Sequence, residues 1–177
     1  VTILSGIICT FLYGSPYPPE GSLIPLILLS GIFGMGGSFI SLFLSKWMAK
    51  KMMGLQMIDS STHDPQLREI VDMVHNMARK ARLPKMPEVG IYDSNEMNAF
   101  ATGPSKSNSL VAVSSGLVRR LNKGELEAVI GHEVAHIANG DMVTLALIQG
   151  IINTFVIFFS RILANLIASQ FERNRHM

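Results

Sequence analysis

Residues 124–147, GELEAVIGHEVAHIANGDMVTLAL, combine a candidate metal site with the beginning of an apolar run. His132 and His136 are four residues apart, so on an α-helix they lie about 40° apart on one face and can both reach one Zn²⁺. Glu133 lies on the same side of that helix, where a carboxylate can act as general base on a zinc-bound water. The pattern therefore predicts one zinc ion held by His132 and His136, with Glu133 as the catalytic group.

The sequence around the motif does not supply a third ligand, although a catalytic zinc normally has three. Asp141 lies five residues beyond His136, about 140° around the helix, and is expected to point away from the metal. Glu172 and His176 follow a membrane-length segment and could return only if residues 142–169 doubled back. The alternative is a helix with two exposed histidines, but unsatisfied imidazoles among its apolar neighbours would be costly.

The composition indicates that part of the chain lies in a bilayer. Of the 177 residues, 48% are hydrophobic and 16% are charged, whereas soluble domains carry about 25% charged residues. Residues 22–44 contain no charge and would form a transmembrane helix about 35 Å long. Residues 1–13 are interpreted as part of a first transmembrane helix and not as a signal peptide, because a basic start is lacking. Residues 142–168 form a third apolar, membrane-associated helix.

Basic residues predict the orientation of the chain in the membrane. Of the 15 Lys and Arg residues, 12 lie between Ser45 and Asp141, and residues 14–21 contain none. By the positive-inside rule, residues 45–141 are expected in the cytoplasm and the 14–21 turn on the opposite side. Arg161, inside the third apolar segment, marks the far interface, pairs with another helix or shows that the segment is buried in protein.

Charge and cysteine content argue against two other classes of protein. The net charge of +2 is too small to indicate a nucleic-acid partner. Cys9 has no partner within the chain, so disulfides are not expected to stabilise the fold.

Residues 45–141 are predicted to form a small α+β domain. One amphipathic helix is expected from its N-cap at Asp64 to Leu83. A second helix, which carries the histidines, begins where Asn122 and Glu125 can form a capping box. Between them, spacings of about ten residues favour an antiparallel sheet. Its predicted strands are residues 88–92, 98–102 and 109–114.

Several strings resemble the bacterial HtpX membrane zinc metalloproteases, and the likeness covers essentially the whole chain. They are residues 36–39 with 45–48, 98–103, 110–114, 128–143, and 147–150 with 153–158. The resemblance implies a multi-pass inner-membrane endopeptidase of the gluzincin type, whose catalytic domain faces the cytoplasm. It also implies a role in heat and envelope stress, in which misfolded or damaged membrane proteins are degraded alongside the ATP-dependent protease FtsH.

The resemblance assigns roles to particular residues. His132 and His136 correspond to the zinc ligands and Glu133 to the catalytic glutamate, while the third ligand, a glutamate in a later helix, is expected downstream of Met177. In zincin-like proteases an edge strand beside the cleft receives the substrate as an added strand. That strand is expected to comprise Asn98, Ala99, Phe100 and Ala101. For Phe100 alone, a place in the core of the sheet is the favoured alternative.

The predicted fold class is therefore α+β, with a zincin-like catalytic domain of a small antiparallel sheet and the motif helix, flanked by transmembrane helices. The predicted function is that of a zinc-dependent inner-membrane endopeptidase. Two other functions stay open at this point. One is a non-catalytic membrane scaffold or interaction module, and the other is a zinc enzyme that acts on something other than peptides.

Overall fold

The computed structural model describes residues 3–17 and 22–175, without the side chains of residues 5, 169 and 172–175. The predicted 14–21 turn therefore lies partly outside the described residues. In chain order the elements are α1 Ile3–Tyr13, α2 Ile24–Met52, β1 Gln56–Ile58, α3 Pro65–Lys80, β2 Glu88–Tyr92, β3 Ala99–Ser105, β4 Asn108–Ser114, α4 Ser115–Arg120, α5 Lys123–Asn139 and α6 Asp141–Arg175. They form a sheet unit, residues 41–145, and a helical unit made of the described residues of 1–40 and 146–177.

The sheet of the sheet unit has four strands in the order β1-β2-β4-β3. β1 pairs with β2 and β3 pairs with β4 in antiparallel fashion, but β2 and β4 are parallel. The prediction of an antiparallel sheet is therefore wrong for this central pair. After β2 the chain crosses to the edge, runs back as β3, and returns through a hairpin that inserts β4 beside β2. Strand spacing alone does not distinguish this insertion from a simple meander.

The two long helices of the sheet unit begin as their capping residues predict. Asp64 Oδ1 accepts a hydrogen bond from the backbone N–H of Gln66 at 2.9 Å, directly before α3. Asn122 and Glu125 form the reciprocal bonds of a capping box at the start of α5. These two predictions are confirmed. α3 ends at Lys80, before the predicted Leu83, because the chain turns at Ala81 and enters the left-handed region at the next residue.

The hydrophobic core lies between the sheet and helices α3 and α5. Val111 and Val113 of β4 are fully buried there, together with Ile130 and Ile137 of α5. Burying such a side chain contributes about 1.5–3 kcal/mol, so these contacts fix the rotation of α5 about its axis. Because one face of α5 is held in the core, the face that carries the histidines is turned outward.

The helical unit contains parts of two helices that are long and apolar enough to cross a membrane, Ile24–Met52 and Asp141–Ala168. They pack closely through small residues: a Cβ atom placed on Gly34 would come within 3.0 Å of Thr154, and one on Gly150 would touch Met35. These contacts suit helix packing in lipid, where small residues allow the backbones to approach each other.

The small residues of α2 fall into two series at four-residue spacing, and only one of them is buried. Ser30, Gly34 and Ser38 are buried. In the other series, Gly37 and Ser41 are exposed. Helix α2 also continues eight residues beyond the predicted end at residue 44, because the basic residues after it remain helical.

Candidate metal centre

Helix α5 brings the two predicted metal ligands together. The Nε2 atoms of His132 and His136 are 3.0 Å apart, and their rings meet edge to face with centroids 4.5 Å apart. In a tetrahedral site with Zn–N bonds of about 2.0–2.1 Å, two ligand nitrogens lie about 3.3 Å apart. The convergence of the two Nε2 atoms therefore fits a shared metal ion, and the partly exposed rings leave it accessible.

Glu133 is held beside the histidines by the sheet. Its Oε2 accepts a hydrogen bond from the backbone N–H of Ala101 in β3 at 3.0 Å, and the side chain is half-buried. This contact fixes the carboxylate between the motif helix and an edge of the sheet. The Glu133 carboxylate also lies near His136, since the pKa of that imidazole is raised by a hydrogen bond to Asp141 and, less strongly, by the charge of Glu133. A general base is needed beside the metal ligands.

Asp141 contacts the second histidine, contrary to the expectation that it points away. Its Oδ2 lies 2.6 Å from Nδ1 of His136. The hydrogen bond raises the pKa of His136 above its ordinary value, against a smaller opposing effect of desolvation. In the neutral ring it also leaves the proton on Nδ1 and the lone pair on Nε2, the atom that faces His132.

Asp141 can reach His136 because a glycine separates it from the helix. Gly140 ends α5 in the left-handed conformation, with φ at +81°, so the rotation of 100° per residue does not extend to Asp141. The signal was present in the sequence, because a glycine after the last apolar position of a helix is a common C-terminal stop.

The third metal ligand is not found among the described residues. No group of three or more His, Cys, Asp or Glu side chains in residues 3–17 and 22–175 could hold a metal ion. The alternative ligand His176 and the side chain of Glu172 lie outside the described residues. His132 and His136 thus supply two of the three protein ligands that a catalytic zinc site needs.

β3 is an edge strand in the sheet that the described residues form. The N–H of Asn98, the residue before it, donates to Ser114 Oγ, and its carbonyl accepts from the N–H of Ser114, so Asn98 faces β4. Backbone groups alternate between the two sides of a strand. Those of Ala99 and Ala101 therefore face away from β4, as the bond from Ala101 to Glu133 shows.

This alternation reduces the number of backbone groups that could bind a substrate strand. Among Asn98, Ala99, Phe100 and Ala101, the outward groups are the N–H and carbonyl of Ala99 and the carbonyl of Ala101. The backbone of Asn98 is already hydrogen-bonded within the chain. Phe100 is partly buried, and its ring packs against Tyr92 with centroids 5.9 Å apart, outside the core cluster under α5.

The convergent histidines and the glutamate between them, which lie on one helix and contact an edge strand through Glu133, are the arrangement of a zincin-type metallopeptidase. Residues 64–177 match the family described as Peptidase family M48. The chain belongs to this family.

Curated relatives named as proteases cover most of the chain. It is 57% identical to a protein named Protease HtpX homolog from Bacillus pumilus, over 85% of the chain and 50% of that relative. It is 50% identical to Protease HtpX from Aeromonas hydrophila, over 97% of the chain and 59% of the relative. The chain thus spans about half the length of the curated relatives it matches. Together with the two apolar helices, these likenesses support a membrane-associated metalloprotease.

Proposed function

We propose that the complete protein is a zinc-dependent endopeptidase of the bacterial inner membrane that cleaves misfolded or damaged membrane proteins under stress. The observation that carries this proposal is the convergence of His132 and His136 at 3.0 Å, with the Glu133 carboxylate held beside them. A structural pair of surface histidines would need neither the adjacent carboxylate nor the aspartate behind the second ring.

Each side chain of the centre has a distinct task. His132 and His136 would hold zinc through their Nε2 atoms, and Asp141 would keep the ring of His136 in the orientation and tautomer that binding requires. When bound, zinc lowers the pKa of a water molecule and polarises the peptide carbonyl. Glu133 would act as the general base that takes a proton from the attacking water and as the acid that delivers it to the leaving amine. The third ligand is proposed to be a glutamate downstream of Met177 in the complete protein.

The outward backbone of β3 would position the substrate. A peptide in extended conformation can add to an exposed sheet edge through main-chain hydrogen bonds. Ala99 offers one donor and one acceptor to such a peptide, and the next outward residue, Ala101, also holds the general base. This arrangement supports cleavage of unfolded segments, because a folded substrate does not present an extended strand.

The order of the chain supports the proposed location and substrates. Asp141, which contacts His136, is also the first residue of the apolar helix α6. Membrane-protein segments that emerge into the cytoplasm are therefore the proposed substrates, and a functional link with FtsH is proposed from the family resemblance. The excess of Lys and Arg between residues 45 and 141 supports a cytoplasmic catalytic domain.

The test compares zinc content and casein cleavage of the complete protein, purified in detergent, with those of Glu133→Gln. We expect Glu133→Gln to retain zinc and lose at least about 100-fold in cleavage rate, because general acid–base catalysis contributes about 10²–10⁴-fold. Glu127→Gln, on the same helix, is the matched control and should remain active. Zinc-free protein, or equal cleavage by Glu133→Gln, would contradict the proposal and favour the scaffold alternative.

A further inference from the structure

Lys106 lies in the turn between β3 and β4, and its side chain reaches back to the end of the motif helix. A Cβ atom placed on Gly140, the residue that ends α5, would lie 3.3 Å from Cε of Lys106. Gly140 follows His136 by four residues, about one helical turn or 6 Å along the axis. The side chain of Lys106 therefore lies at the C-terminal end of the motif helix, and the residue directly follows the last residue of the edge strand β3.

In the described part of the chain, no ion pair neutralises the charge of Lys106. Four other lysines of the sheet unit pair with carboxylates, as Lys123 does with Glu69 and Lys46 with Glu88. No carboxylate among the described side chains lies within ion-pair distance of Lys106, and the residue is exposed. A cation that flanks a cleft without a partner is available to an acidic group of a ligand.

The direction of β3 determines which end of a substrate meets this cation. In an antiparallel pairing, one substrate residue can bond both the N–H and the carbonyl of Ala99. This pairing is slightly more stable than a parallel one, so an antiparallel substrate is expected. Along β3 from Ala101 to Lys106, such a substrate runs toward its own N-terminus. Lys106 follows Ala101, the residue that contacts Glu133, by five residues, and a strand rises about 3.3 Å per residue. Its backbone therefore lies up to about 17 Å further along this edge, on the side of the substrate residues upstream of the cleaved bond.

We propose that Lys106 is a specificity-determining residue that selects substrates with an acidic side chain on the N-terminal side of the cleaved bond. This inference rests on the proposed peptidase function. A simpler role for Lys106 is to stabilise the negative end of the α5 dipole. That role would change thermal stability but would give no preference among peptides, so the two roles are separable.

Peptide binding to the complete protein carrying Glu133→Gln tests the inference without cleavage. Three fluorescent peptides of similar apolar sequence would carry Asp in the N-terminal third, Asp in the C-terminal third, or Asn in both places. Exposed ion pairs change equilibria by up to about fivefold, so the first peptide should bind about two- to fivefold more tightly than the other two. The preference should disappear in Lys106→Gln and turn against the acidic peptide in Lys106→Glu.

Lys85→Glu is the matched control, because Lys85 is also exposed and lies in the connection from α3 to β2, away from β3. It should keep the preference of the parent protein. The inference is overturned if the three peptides bind equally, if C-terminal Asp is preferred, or if the preference survives Lys106→Glu.

Cleavage of the same peptides by protein with intact Glu133 should show the same order in kcat/KM. Failure of the proposed function is a different result: no peptide is cut, whatever its charge. If peptides are cut without any charge preference, the peptidase stands and the role of Lys106 is wrong.

Discussion

Asp141 is the residue that orients the second histidine. A carboxylate behind a metal-bound imidazole typically accounts for 10- to 100-fold in metal affinity. We therefore expect Asp141→Asn to weaken zinc binding by the complete protein by about 10- to 100-fold, measured by competition with a chelator. Asp72→Asn, an exposed aspartate on α3, is the control and should leave affinity unchanged. Equal affinity in both variants would mean that the 2.6 Å contact does not support the metal site.

The histidine pair and the glutamate could be predicted from spacing alone, because all three lie within one regular helix. Asp141 could not be placed in this way, since one left-handed residue precedes it. Asn98 shows the same limit in a strand. The resemblance to zincin-like proteases predicts an edge strand there, but only the observed bonds to Ser114 show that the backbone of Asn98 faces inward. Local periodicity thus predicts positions inside an element better than positions at its ends.

The end of α5 depends on a glycine at a position that other residues adopt poorly. Gly140 has φ at +81°, and a Cβ there would also press on Lys106 at 3.3 Å. Gly140→Ala should therefore lower the free energy of unfolding by about 1–2 kcal/mol, measured by denaturant titration in detergent. Gly131→Ala is the control within the same helix, because its Cβ would meet only Met77 at 3.8 Å. It should be neutral or stabilise by up to about 1 kcal/mol.

The sheet also interacts with the C-terminal part of α2 through an ion-pair cluster. Lys46 Nζ lies 2.9 Å from Glu88 Oε1, and Lys50 pairs with the other oxygen. Burial, the largest single influence, raises the pKa of Glu88, but the hydrogen bonds from Lys50 and Lys46 and their charges outweigh it. The pKa of Glu88 is therefore lowered. This cluster makes the stability of the sheet unit dependent on pH.

The sign of that dependence follows from the lowered pKa. The ion pairs stabilise the folded state above the unfolded pKa of Glu88, and this contribution is lost as pH falls through the folded pKa. Because Glu88 is partly exposed, the contribution should be about 1 kcal/mol or less. Glu88→Gln should lower the melting temperature at neutral pH, and the difference should vanish in acid. Glu127→Gln is the control, because the ion pair of Glu127 with Lys80 is longer, at 3.9 Å, and its loss should change the melting temperature little. A difference for Glu88→Gln that persists in acid contradicts this assignment.

The order of the strands is an element-level property that the sequence does not reveal. The segments of β2, β3 and β4 have the expected composition, and the cap residues of α3 and α5 predict where those helices begin. The insertion of β4 between β2 and β3 depends on contacts between distant residues, such as Val89 with Val111. Those contacts are set by the shared core under α5, and not by local turn chemistry.

At the level of the whole chain, the two compact units differ in where their apolar side chains lie, as expected if one unit is surrounded by water and the other by lipid. The sheet unit buries Ile, Val and Leu side chains under α3 and α5, as proteins do in water. In the helical unit, large apolar side chains such as Phe155 and Phe159 are exposed, and the close contacts involve glycine, serine and threonine. That inverted pattern is expected where lipid covers the apolar surface and packing must come from close approach of backbones.

The contact between Gly34 and Thr154 should therefore dominate the stability of the helical unit. A Cβ at Gly34 would lie 2.7 Å from Cα of Thr154, which is backbone and cannot rotate away. Overpacking of this kind costs about 1–3 kcal/mol, and it would also separate Asn153 from its bonding partner Ser38. Gly34→Ala should thus lower the temperature at which helical circular dichroism is lost in detergent.

Gly36→Ala is the matched control for this last prediction, because a Cβ there has no neighbour within 4 Å in the described part of the chain. It adds the same methyl group to the same helix without a clash, so it should be neutral or slightly stabilising. If both variants melt alike, the two helices do not depend on close packing at Gly34. Lipid or detergent contacts would then be the main source of stability in this unit.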